Sequence, residues 1–188
     1  MRLLFGGFTL AVLTAVAAAQ TPPKPAASKP AAGTTPNTTG TLAQVMRGIY
    51  FPNANLIFDV QQRDPGAPKA KTESSGSSTD TYASAYSGWE IVENAAVALA
   101  DGVDLILKPG RTCQNGKPVP VSQPDFQKFA REMREAGRVA LQAARTRNQE
   151  KVSDATNNIA DACSNCHEVY RDKGPADSPA RCTPAPKK

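Results

Sequence analysis

Three stretches of this chain repeat an apolar residue at alternating spacings of three and four, which is the period of one helix face. From about Tyr82 to Leu107 the repeat is Trp89, Val92, Ala96, Leu99, Val103 and Ile106, closed by Pro109-Gly110. From about Gln123 to Arg147 it is Phe126, Phe129, Met133, Ala136, Ala140 and Ala143. Ser122 and Asp125 there resemble a capping box, with Pro124 in the first turn. From about Gln149 to Asp172 it is Val152, Ala155, Ile159, Ala162, Cys166 and Val169, with Asn148 as the N-cap. An earlier stretch, Thr41 to Gln61, keeps the phase through Leu42, Met46, Ile49, Leu56 and Val60. Pro52 interrupts it and is expected to kink or split that helix. Strand signals are weak, because Val119 and Val121 alternate with Pro118 and Pro120, which lack ladder donors. The pattern predicts an all-α fold, an antiparallel up-down four-helix bundle. Alanines along the 123–147 and 149–172 stretches allow close packing or leave room for something bulky.

The flanks have a different character. Residues 1–19, MRLLFGGFTLAVLTAVAAA, carry one Arg, an apolar run and an Ala-x-Ala end, the pattern of a signal peptide cut before Gln20. The competing reading, an uncleaved anchor helix, has a short apolar run for a span of roughly 20 residues. No cysteine follows the cut to take a lipid, so the expectation is an exported, periplasmic protein without a membrane anchor. Residues 20–40 are Pro-, Ala- and Thr-rich and read as a linker, with the bundle over 41–173 and a loose tail over 174–188. Arg63 to Thr81, rich in Gly, Ser, Pro and Lys, reads as a long flexible connection.

The net charge of +5 invites a nucleic-acid reading. Between Thr41 and Arg171, however, 15 Lys/Arg face 15 Asp/Glu, so the positive excess lies in the flanks. A phosphate-binding surface carries its charge on the folded domain. Nucleic acid is therefore not expected as a partner.

The chemistry lies in Cys163-Ser164-Asn165-Cys166-His167. C-x-x-C-H is the attachment signature of a c-type haem. On a helix, residues three or four apart share a face. Cys163 and Cys166 thus offer two thiols on one side for thioether bonds to the haem vinyl groups. His167, one turn beyond Cys163, offers a nitrogen to the iron. A thioredoxin-type disulfide wants a βαβ context that the chain lacks. A zinc site would need Cys113 and Cys182, which lie 50 and 16 residues from the motif, unlike paired zinc knuckles.

With signal peptide, four helices, C-x-x-C-H near the end of the last helix and Tyr170-Arg171 after it, the chain resembles the class II c-type cytochromes. That family includes cytochrome c-prime and the low-spin cytochrome c-556 type. The resemblance implies one covalent haem c on Cys163 and Cys166, with His167 as proximal iron ligand. His167 is the only histidine, so bis-histidine ligation is excluded. In the low-spin members a Met near the start of the first helix is the sixth ligand, often followed by a basic residue, and Met46-Arg47 fits. Met46 is also in phase with Leu42 and Ile49. In an up-down bundle Met46 and His167 both lie roughly 7–8 Å from the same end, at about 1.5 Å of rise per residue. Met133, midway along its helix, reads as core.

His/Met ligation suits one-electron transfer with redox partner proteins. The alternative makes Met46 a core side chain beside a five-coordinate iron that binds nitric oxide or carbon monoxide. A third reading is a non-haem bundle that serves as an interaction module. Family members often dimerise through their first two helices, so a homodimer is a further implication. With one histidine, already assigned, and no phosphate-cradling glycine loop, no enzyme activity is expected. Arg171 shares a face with His167, where it either pairs with a haem propionate or caps the helix in solvent. Cys113 and Cys182 follow the second and fourth helices at one pole of such a bundle. As the pair left over in an exported chain they read as a disulfide, against two free thiols on loops.

Overall fold

Thr41 starts the first helix with a capping box, its side chain taking the Gln44 N–H while Gln44 Oε1 accepts from the Thr41 N–H at 2.8 Å. The computed structural model describes residues 38–68 and 86–183. The signal-peptide stretch, most of the linker, most of the 63–81 connection and the expected helix start at Tyr82 lie outside them.

The first helix, α1 (residues 42–61), is continuous but irregular. An α segment, Leu42–Val45, passes into a π turn, Met46–Tyr50, then an α segment, Phe51–Phe58, and a final 3₁₀ turn, Asp59–Gln61. Of the kink or split expected at Pro52, the split does not occur: the helix runs on, with a disturbed turn just before the proline. Pro52 sits in the first turn of the Phe51–Phe58 segment, behind a wider turn in which the Phe51 N–H reaches the Met46 carbonyl. The π turn absorbs the proline ring that a regular α turn would meet at residue i−4. Asn53 Nδ2 donates to the Ile49 carbonyl at 2.7 Å, satisfying an acceptor beside the disturbance.

Helix α2 (Trp89–Asp101) runs on after Gly102 into a short turn, Val103–Ile106. It begins at Trp89, directly after Gly88, whose φ of +63° breaks the helical phase. A Cβ at Gly88 would also lie 3.0 Å from the Pro65 carbonyl oxygen. Helix α3 (Pro124–Arg145) is capped by Gln123 without a side-chain bond, so the Ser122/Asp125 capping box does not form. The Asp125 carboxylate instead accepts from the Phe126 N–H at 2.9 Å and from the Tyr170 hydroxyl at 2.7 Å. Helix α4 (Gln149–Tyr170) starts on Asn148, whose side chain accepts from the Lys151 N–H at 2.9 Å.

Helix α2 packs on α3, α3 on α4, and α1 on both α2 and α4. Val92, Leu99, Phe126, Ala140, Val152 and Ile159 are buried at their shared centre. Among the described residues there is no strand, only an isolated bridge between Thr112 and Pro118. Contacts between helix ends are specific. Leu42 N–H donates to Thr112 O at 2.8 Å, joining the start of α1 to the loop after α2. Gln149 Nε2 donates to Val60 O at 2.9 Å, joining the end of α1 to the start of α4. Arg111, 4% exposed, donates to the Thr39 and Gly40 carbonyls at 2.8 Å each and to Leu105 O at 3.2 Å. The last residues of the supposed linker are thereby tied to the bundle. No helix among the described residues is long and apolar enough to cross a membrane.

The α2–α3 contact is close at Gly137, where a Cβ would stand 2.7 Å from Ala100 N and 3.0 Å from Ala100 Cα. Backbone cannot yield as a side-chain tip does. Gly137→Ala is therefore expected to destabilise the fold by about 1–3 kcal/mol despite alanine's better helix propensity. Urea denaturation checks this as a lower midpoint at unchanged slope.

Candidate functional site

Helix α4 carries the site. Its 22 residues contain no proline or glycine, so the 3.6-residue repeat runs unbroken through Cys163, Cys166 and His167. Cys163 and Cys166 are half-buried and not joined to each other. Both thiols and the His167 side chain line one cavity of about 470 Å³, within the roughly 300–1,000 Å³ of small-molecule and cofactor sites. Ala162 on the same helix and Ala130 on α3 keep this wall low. Ala162 belongs to the apolar repeat read from the sequence, and Ala130 adds to it from α3. Helix α1 also contributes to the lining, with Met46 and Phe51, and α3 adds Phe129 and Met133.

The electrostatics are unlike those of a redox dithiol. Burial pushes the Cys166 thiol up to about 12, and the neighbouring Cys163 adds to the shift. Burial also raises Cys163, with Arg171 acting in the opposite direction. Exchange-active C-x-x-C cysteines have the reverse property, a lowered pKa. Burial, then the Arg171 charge, lowers His167, which favours the neutral imidazole a metal requires.

The end of α4 is held by Tyr170. Its ring is buried and meets Phe126 edge-on at 5.1 Å and Phe129 at 6.3 Å, while its hydroxyl donates to Asp125. Burial and that bond raise the phenol well above its ordinary range. Tyr50 contributes from α1, lining the cavity and donating to Leu99 O at 3.3 Å. Its phenol is likewise raised by burial.

Arg171 lies at the cavity wall and donates to Asp172 through Nε at 2.6 Å and Nη2 at 3.3 Å. That hydrogen bond holds the Asp172 carboxyl below the usual carboxylate range. A disulfide joins Cys113 to Cys182, and both residues line the same cavity. Neither is then available to a zinc site built on the Cys163/Cys166 pair. Met133, read from the sequence as core, is buried and also lines the cavity.

Phe51, Tyr50 and Arg181 reach the cavity without having been singled out in the sequence, while Arg47 was noted there only as the basic residue after Met46. Arg47 had a signal, since it follows an inward-facing methionine. Arg181 had only its neighbour Cys182. Among the described residues, the lining holds three arginines, at 47, 171 and 181, and no Asp or Glu. Two thiols, an imidazole, apolar walls and a lining with arginines but no carboxylate fit a haem, an apolar macrocycle with two carboxylates.

A helical fold whose last helix lines an apolar cavity with C-x-x-C-H resembles the c-type cytochrome class. Residues 119–171 match the family model of Cytochrome C'. This supports a class II, cytochrome c-prime-like relationship and covers α3 and α4 with the whole motif. It does not reach α1 or Met46. Curated proteins and solved structures show no significant match to the chain.

Proposed function

We propose that this protein is an exported monohaem cytochrome that carries single electrons between redox partner proteins, without catalytic chemistry of its own. The reading takes the helices as an up-down four-helix bundle, which the contacts between helix ends support. Cys163 and Cys166 would hold the haem through thioethers, and His167 would take the proximal side of the iron. Met46 is the distal candidate. The single observation that carries the reading is that Cys163, Cys166, His167 and Met46 all line one apolar cavity.

When bound, the haem supplies a one-electron couple whose potential follows its axial ligands and its surroundings. The chain's own part is to keep water away and to hold the ligands still. Tyr170, clamped between Phe126, Phe129 and Asp125, fixes the end of α4 and with it His167. The π turn begins at Met46, so the backbone that presents this thioether is the irregular part of α1. Single π turns often occur at functional sites, and this one supports a liganding role for Met46.

The test is the visible spectrum of the dithionite-reduced protein with and without carbon monoxide. A low-spin spectrum that carbon monoxide leaves largely unchanged is expected. Met46→Ala is expected to give a high-spin spectrum that carbon monoxide shifts strongly, whereas Met133→Ala stays low-spin. A wild-type spectrum that is high-spin and responsive would remove Met46 from the iron and make the protein a gas binder.

A further inference from the structure

The wall of the cavity that no helix provides is a strap, residues 174–183, lying against the loop 111–118. Ala176, Arg181 and Cys182 from the strap line the cavity, as do Cys113 and Asn115 from the loop. Neither segment falls within the family match at residues 119–171. Its Pro-rich composition reads as a loose tail, but here the strap is fastened along its length. Asn115 Nδ2 donates to Ser178 O at 2.8 Å and to Arg181 O at 3.1 Å. Lys117 Nζ donates to Pro179 O at 2.6 Å, and Lys173 Nζ to Thr183 O at 3.0 Å. Cys182 donates its N–H to Tyr170 O at 2.9 Å while its sulfur is bonded to Cys113. Its φ is +57°, a region that residues other than glycine seldom occupy and keep only when their surroundings enforce it.

The strap also brings charge. Arg181 donates through Nε and Nη2 to Gly174 O, at 3.1 and 2.7 Å, an internal bond to a neutral carbonyl. Arg47, from α1, is steadied by Gln114 of the same loop at 3.0 Å. We propose that the strap is a disulfide-held wall of the haem cavity and that Arg181 on it, with Arg47, receives the carboxylates of the bound porphyrin. This rests on the haem reading above. Guanidinium suits the role, since it is always charged and its planar fork matches a carboxylate. A positive charge beside the cofactor favours the reduced, less positive iron. Removing it therefore shifts the couple toward the ferric form.

The test is an equilibrium redox titration of the holo-protein against a dye of known potential. Arg181→Gln is expected to move the ferric–ferrous equilibrium roughly two- to tenfold toward ferric, the effect of one unit charge at several ångströms. Arg181→Lys, which keeps the charge, is expected to restore most of the shift. Cys113→Ala/Cys182→Ala, which frees the strap, is expected to reproduce it, and Arg181→Gln is expected to add nothing in that background. If the double cysteine variant does not fold, the Gln and Lys variants decide between themselves. Coloured protein in which Arg181→Gln leaves the titration unmoved, or in which the two effects are additive, overturns the strap and leaves the haem reading standing. Wild-type protein without covalent haem overturns both.

Discussion

Replacing Cys163 and Cys166 together by alanine is expected to abolish covalent pigment. After denaturing electrophoresis the wild-type band should stain for haem and the variant band should not. The effect extends to the fold, because the cavity those residues line measures about 470 Å³ and its walls are mostly apolar. At ~24 cal/mol per Å³ an unfilled cavity of that size corresponds to roughly 11 kcal/mol as an upper bound. That approaches the whole stability of a domain, about 5–15 kcal/mol. The variant is thus expected to keep its far-ultraviolet helical signal while losing near-ultraviolet signal and cooperative melting. A variant that melted as sharply as wild type would mean that the cavity closes on itself without a cofactor.

The second large effect is expected from Cys113→Ala/Cys182→Ala. The disulfide spans 69 residues and encloses both α3 and α4. The chain-entropy relation gives roughly 4 kcal/mol for a loop of that length, and native disulfides commonly contribute about 2–4 kcal/mol. Since the strap hydrogen bonds to Asn115 and Lys117 depend on the same closure, the upper half of that range is expected. For a domain of this size the melting temperature should fall by about 5–15 °C. Limited proteolysis should cut the variant within residues 174–183 before it cuts the helices. If melting is unchanged and the strap stays resistant, the hydrogen bonds alone hold it.

Much of the helical framework was legible because helix formation is local. The runs Phe126 to Ala143 and Val152 to Val169 carry their own period, and α3 and α4 lie within a residue or two of where that period places them. The misreadings have local causes of a different kind. Gly88 ends the helical phase through a positive φ that the apolar pattern does not encode. Pro52 is carried through by a π turn, whose wider ring no count of i+4 spacings anticipates. Ser122 and Asp125 have the spacing of a capping box, but Asp125 is drawn instead to Tyr170, a partner 45 residues away. The strap looked loose because Pro, Ala and Lys bury little. It is ordered by polar bonds to another loop.

By itself the sequence supplied the motif on which the proposed haem attachment rests. Two thiols three residues apart and an imidazole beside the second must share a helix face, whatever the rest of the chain does. The single histidine likewise would limit a bound iron to one imidazole. The tertiary structure alone decided what surrounds that face. Met46 and Met133, both sulfur-bearing, reach the same cavity from different helices. Arg47 and Arg181, near opposite ends of the described chain, add charge to walls without a carboxylate. Such a grouping depends on how helices pack and on where a disulfide closes a long loop, and those long-range contacts leave no periodic trace in the residues between them.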